Sequence, residues 1–145
     1  MKRALLCTIA GVGLLTCGMG IGSAQDRDRD RDDGWYQHRD SFYREGHWRG
    51  RLFERVRDDL DHVQSTTFPV STDEFRIVRT KQELGELQEK LAGGRYDQPE
   101  LDQVIAAMQR VVNSNKLSPR DRDMLNDDLS RMREYREHHE NWDRR

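Results

Sequence analysis

The chain is 145 residues long, 36% charged and 34% hydrophobic, with a formal net charge of −2. Such a composition allows one modest core beneath long charged faces, and so a single folded domain. Acids and bases are mixed throughout, which excludes the one-signed basic stripe that nucleic-acid binding requires.

Lys2 and Arg3, the apolar run 4–15 and then Gly22-Ser23-Ala24 follow the order of an export signal cut after Ala24. The run is glycine-rich, gives way to a charged segment rather than a stop-transfer flank, and falls short of the ~20 apolar residues of a spanning helix. The expectation is an exported protein, periplasmic or extracellular, with no transmembrane segment in its mature part. Leu14-Leu15-Thr16-Cys17 is a lipoprotein-type alternative with Cys17 acylated, although Thr16 stands where Gly, Ala or Ser is expected. Cleavage after Ala24 removes two bases and no acid, leaving 23 Lys and Arg against 27 Asp and Glu. It also removes Cys7 and Cys17, so the mature domain has no disulfide and must be held by packing.

Residues 25–50 are expected to be a tether followed by an arm. Residues 26–33 are almost strictly alternating Asp and Arg with nothing to bury, the composition of a disordered, solvated segment. A calcium loop built from Asp26, Asp28, Asp30 and Asp32 fails because arginines stand between them and no Gly or Glu completes an EF-hand pattern. Residues 34–50 gather Trp35, Tyr36, Phe42, Tyr43 and Trp48 among His38, Arg39, Arg44, His47 and Arg49. Rings beside guanidinium groups make a stacking surface, so Trp35, Tyr36, Arg39, Phe42, Tyr43, Arg44 and Trp48 are the candidate partner-binding residues. The competing reading is structural, with the arm lying along the domain and its rings capping one end of the core. The doublets Trp35-Tyr36 and Phe42-Tyr43 are seven apart, which fits a short amphipathic helix limited by Gly34, Gly46 and Gly50.

Residues 51–140 read as four helices. Leu52, Phe53, Val56, Leu60 and Val63 mark the first, with Arg55, Arg57, Asp58, Asp59 and Asp61 expected on its outer side. Ser65-Thr66-Thr67 and Pro69 end it. Ser71-x-x-Glu74 caps a second helix that runs to Ala92, where Gly93-Gly94 supplies a left-handed stop. Its core face is Ile77, Leu84, Leu87 and Leu91; Phe75 and Val78 fall off that face, and an extended piece at 75–79 with a second cap at Thr80-x-x-Glu83 is the competing assignment. Asp97, Pro99 and Glu100 open the third helix, whose stripe is Leu101, Val104, Ile105, Met108, Val111 and Val112. Asn113-Ser114-Asn115 breaks it. Ser118-Pro119 with Asp121 starts a fourth, carrying Leu125, Leu129, Met132 and Tyr135 inward and fraying between Arg136 and Trp142, so that 141–145 is a loose end. Helices of this length on short polar turns pack antiparallel, so the expected fold is an all-α, up-and-down bundle of about four helices. Asp58-Asp59-Leu60 and Asp127-Asp128-Leu129 echo one another, as a duplicated helical hairpin would produce.

The run from Glu100 to Val112 and the run from Asn115 to Leu129 resemble an uncharacterised group of small exported bacterial proteins, over about two thirds of the mature chain. The resemblance implies an exported helical domain and no particular activity, cofactor or site. In size and location the chain is also similar to periplasmic helical stress chaperones of the Spy and CpxP type, in architecture alone, because their Leu-Thr-x-x-Gln repeats are missing from the mature chain.

Catalytic patterns are scarce: there is no Gly-x-Ser-x-Gly, no cysteine after the leader, no phosphate-cradling glycine loop and no His-Glu-x-x-His. The pairs Asp58-Asp59 and Asp127-Asp128 are splayed by about 100° on a helix and read as solvated faces. His138-His139-Glu140 with His38, His47 or His62 is the one candidate metal set, set against ordinary surface histidines because adjacent side chains diverge. The expected function is a non-catalytic, exported interaction protein of the bacterial envelope, chaperone-like or stress-related. It needs no cofactor, and its partner is a protein or another envelope component. A metal-responsive periplasmic protein is the alternative.

Overall fold

The computed structural model describes residues 23–45, 48–67 and 69–144. The chain divides into two compact units, 1–41 and 42–145. The apolar run 4–15 and Cys17, on which the expectation of an export signal rests, lie outside the described residues.

Helix α1, Ser23–Arg44, is continuous and contains every described residue of the first unit. The segment 26–33, expected as a tether, and the short helix expected after it both fall within α1. The absence of apolar residues argues against burial, not against helical backbone. Nor does Gly34 limit it: the helix runs through this residue, and a Cβ there would meet nothing within 4 Å.

The second unit is the bundle. A 3-10 turn, Trp48–Arg51, leads into α2, Leu52–Thr66, followed by α3, Thr72–Ala92, α4, Gln98–Val112, and α5, Pro119–His138. A second 3-10 turn, His139–Arg144, closes the chain. Each of α2 to α5 packs against the next, and α5 packs back against α2, so the up-and-down ring closes.

Helices α3, α4 and α5 begin where side chains replace missing backbone partners. Ser71, Asp97 and Ser118 accept hydrogen bonds from the backbone N–H groups of Glu74, Glu100 and Asp121 respectively, all at 3.1 Å. Pro119 and Pro99 stand in first turns that need no N–H from them. Helix α3 ends on Gly94 at φ +72°, with Arg95 N–H donating to Lys90 O at 3.0 Å, the left-handed stop the glycine pair predicts. Its start is also helical: 75–79 is not extended, and Thr80 is not a cap but a buried mid-helix residue whose hydroxyl donates to Arg76 O.

The core is the expected set of stripes. Leu52, Val56, Leu60 and Val63 of α2 meet Ile77, Leu84 and Leu87 of α3, the whole α4 stripe, and Met124, Leu125, Leu129 and Met132 of α5, all buried. Phe75 and Val78, which fall off the α3 core face, are 67% and 46% exposed. Helix pairs are also tied by polar groups. Arg122 donates to Val112 O and Ser114 O at the end of α4, and Lys90 at the end of α3 donates to Asp97 at 2.9 Å and Glu100 at 2.6 Å.

Two expectations about charge are overturned. Arg55 and Asp59 are not on the outer side of α2 but 3% and 0% exposed, paired at 2.7 Å. Asp59 lies seven residues from Leu52 and so almost above it, inside the apolar stripe. Asp128 is likewise fully buried, accepting from the Tyr43 hydroxyl at 3.1 Å, and only the first member of each aspartate pair is left towards solvent. The echo between the two Asp-Asp-Leu runs therefore marks equivalent buried carboxylates on the neighbouring helices α2 and α5.

Candidate functional site: an aromatic cleft at the end of the bundle

Antiparallel packing brings the start of α2, the end of α3 and the end of α5 to the same end of the bundle. At that end the chain after α5 forms the 3-10 turn His139–Arg144, within the stretch expected to fray. Trp142 is 4% exposed and its indole N–H donates to Arg49 O at 3.0 Å. Seven residues separate Tyr135 from Trp142, and their rings meet edge to face at 5.3 Å. Tyr135 also meets Phe53 edge to face at 5.0 Å. Tyr96, in the turn between α3 and α4, lies flat on His139 at 3.5 Å and 11°, while its hydroxyl donates to Arg136 O. Burial, and secondarily the nearby Asp102 carboxylate, raises the Tyr96 phenol above its ordinary value.

Between these walls is a cleft of about 400 Å³. Phe53, Tyr135, Trp142 and Leu91 give it an apolar surface; Arg49, Glu54, Gln88 and His139 give it hydrogen-bonding groups. Arg49 lies over Trp48 at 5.1 Å and over Trp142 at 5.6 Å. The Nδ1 of His139 is buried without a hydrogen-bond partner from the described chain. No pair of close carboxylates or activated nucleophile faces the cleft; its chemistry is stacking, one cation, one anion, an amide and an imidazole.

The seven candidate partner-binding residues are divided by the structure. Trp35 and Tyr36, half-buried, and Arg39, buried, lie on α1 in the first unit. Phe42, Tyr43 and Trp48 are half-buried in the second and linked in a chain of edge-to-face contacts, Phe42 to Tyr43 at 5.2 Å, Tyr43 to Trp48 at 5.4 Å and Trp48 to Trp142 at 5.6 Å. Arg131 of α5 covers Tyr43 at 3.8 Å and Trp48 at 4.7 Å. These rings cap the bundle, as the structural reading of the arm expects, and Arg44 is exposed beside them. Sequence reasoning missed Phe53, Tyr96, Tyr135, His139 and Trp142 as a group, because nothing local marks residues that only the helix ring brings together. The Tyr135 to Trp142 spacing was the available signal.

Among the described residues no three His, Cys, Asp or Glu side chains converge as a metal site would require. His62 is held near Asp121 at 3.8 Å, at the opposite end of the bundle from His139; His138 is exposed, and His47 lies outside the described residues. No described helix is long and apolar enough to cross a membrane. No protein-family model matches the chain, and neither a curated protein nor a solved structure matches it.

Proposed function

We propose that the chain is a non-catalytic interaction protein of the bacterial envelope that recognises its partner through the aromatic cleft at the end of the bundle. The observation that carries the reading is the cleft itself: side chains from three separate stretches, with rings from two of them, line an open space of ligand size with a few polar groups at its edge. Export is the part of the proposal that rests on residues 1–24. Intact-mass analysis of the protein recovered from the envelope tests it, with a chain beginning at Gln25 expected and a retained Met1 or an acylated Cys17 contradicting it. Recognition is tested by a pull-down from envelope extract with the full chain and with Leu91→Trp, which fills the cleft. Partners lost on filling support the reading, and identical partners contradict it.

A second, chaperone-like reading is favoured by the outer face of α3, where Phe75 and Val78, with Val70 just before the helix at 83% exposure, leave apolar side chains in solvent. Suppression of aggregation of an unfolded client that disappears in Phe75→Ser/Val78→Ser would support it. Zinc or copper titration by calorimetry tests the metal-responsive alternative, which His138, His139 and Glu140 raise in the sequence.

A further inference from the structure

We infer that the outer face of α3 pairs two copies of this chain, antiparallel, across a two-fold axis at Gln82. The face lies outside the aromatic cleft, so the inference stands apart from the reading of that cleft. Phe75, Val78, Gln82, Glu86 and Glu89 follow one another at intervals of three or four residues, which keeps them in a single stripe along the helix. All five are exposed. Along the stripe, α3 and α4 form an open groove of about 560 Å³, lined by Phe75, Val78, Arg79, Gln82 and Glu86 of α3 and by Gln103 of α4.

In both directions from Gln82 the stripe is symmetric in position and complementary in kind. Val78 stands four residues before it and Glu86 four after; Phe75 stands seven before and Glu89 seven after. A copy laid antiparallel at that register sets Phe75 against Glu89, Val78 against Glu86 and Gln82 against Gln82, with the unlike contacts made twice as a two-fold interface requires. Two facing amides each donate an N–H and accept with a carbonyl oxygen. The methylene stems of Glu86 and Glu89 cover the apolar side chains, and the carboxylates stay at the rim, where Arg79 meets Glu86 of the other copy.

Charge selects this occupant over others. The half of the stripe before Gln82 has Arg79 beside its two apolar side chains, and the half after it has Glu86 and Glu89. A parallel copy would set acid on acid, and an anionic lipid surface would be repelled by the same carboxylates. An unfolded client would use Phe75 and Val78 alone. Arg79 donates to Glu83 on its own helix at 2.9 Å. That surface pair contributes little, and it engages one of five guanidinium N–H groups, which leaves donors for a carboxylate across the interface. Glu86 accepts from Gln82 at 3.4 Å, and neither it nor Glu89 forms an ion pair among the described residues. The stripe is only about 20 Å long, so the contact falls short of the roughly 800 Å² per partner that a stable complex buries. The dimer is therefore weak and forms at high concentration.

The test is sedimentation equilibrium of the purified protein from about 10 μM to about 1 mM. A rise from monomer towards dimer mass is expected, abolished in Phe75→Ser/Val78→Ser and weakened by about tenfold or more in Arg79→Glu and in Glu86→Arg, each of which sets like charges together twice. Melting curves stay unchanged, because all four side chains are exposed. Mixing Arg79→Glu with Glu86→Arg is expected to restore the dimer, since both pairs across the axis are then opposite in sign. A chain that remains monomeric at the highest concentration overturns the inference, as does a dimer that the charge variants leave intact or that mixing does not restore. If the monomer instead holds reduced, unfolded lysozyme and Phe75→Ser/Val78→Ser does not, the pairing falls and the face belongs to a client.

Discussion

Asp59 is fully buried within an apolar stripe, and the fold accepts it because Arg55, one turn earlier and also buried, donates to it at 2.7 Å. Removing one partner of such a pair leaves an uncompensated buried charge, so Asp59→Ala is expected to destabilise the bundle by about 3–5 kcal/mol in urea melts, whereas a surface aspartate would cost under about half a kcal/mol. Val70 is the opposite case, a residue whose backbone works against the fold. It holds φ +59° while 83% exposed, a left-handed conformation that is unfavourable for a β-branched side chain. Val70→Gly should therefore raise stability, by up to about 1 kcal/mol, and a loss would show that the Val70 side chain contributes to the fold. At the α3–α4 turn, the hydrogen bond from Lys90, followed by that from the Glu100 N–H, holds Asp97 below its ordinary 3.8, while bonds to Glu100 and then Asp97 raise Lys90 above its ordinary 10.5. A lowered carboxylate contributes fully above its ordinary value and loses that contribution as pH falls through its folded value; a raised amine contributes fully below its ordinary value and loses it as pH rises through its folded value. The melting difference between the chain and Lys90→Met should thus be flat from about pH 5 to 9 and shrink beyond both ends, as a pH series of thermal melts would show.

At the level of elements, α3, α4 and α5 are legible twice over, by a cap and by a stripe, and α2 by its stripe alone. Helix α4 is the plainest: Asp97, Pro99 and Glu100 set its start, and its six-residue stripe is wholly buried. Ile105→Ala is expected to cost about 2–5 kcal/mol by denaturant melt, since the ring of helices closes over that face; a cost near zero would mean that the stripe faces solvent. What was not legible follows from the same logic. Residues 26–33 of α1 carry no apolar stripe, so their composition is that of a tether. Their charge alone puts Arg55, Asp59 and Asp128 outside, whereas helix geometry puts Asp59 over Leu52 whatever its charge. The end of α5 was read as frayed because His138, His139 and Glu140 are polar, while Trp142 beyond them supplies the anchor.

The whole molecule brings together what the sequence keeps apart. Arg49 and Phe53, Gln88 and Leu91, and Tyr135, His139 and Trp142 belong to three stretches that become one cleft only when the ring of helices closes. Phe42, Tyr43 and Trp48 are joined to Trp142 by edge-to-face contacts, and the cleft proposed for recognition adjoins them. That account depends on Trp142 being held in place as the cleft wall. Hydrogen exchange of the Trp142 indole N–H in the full chain measures this directly, because a proton donated to Arg49 O from a buried ring exchanges only when the local structure opens. Exchange slowed on the order of a hundredfold or more relative to a free indole, a local stability of about 3 kcal/mol, is the predicted result; exchange at the rate of an exposed indole would contradict the cleft and the function built on it.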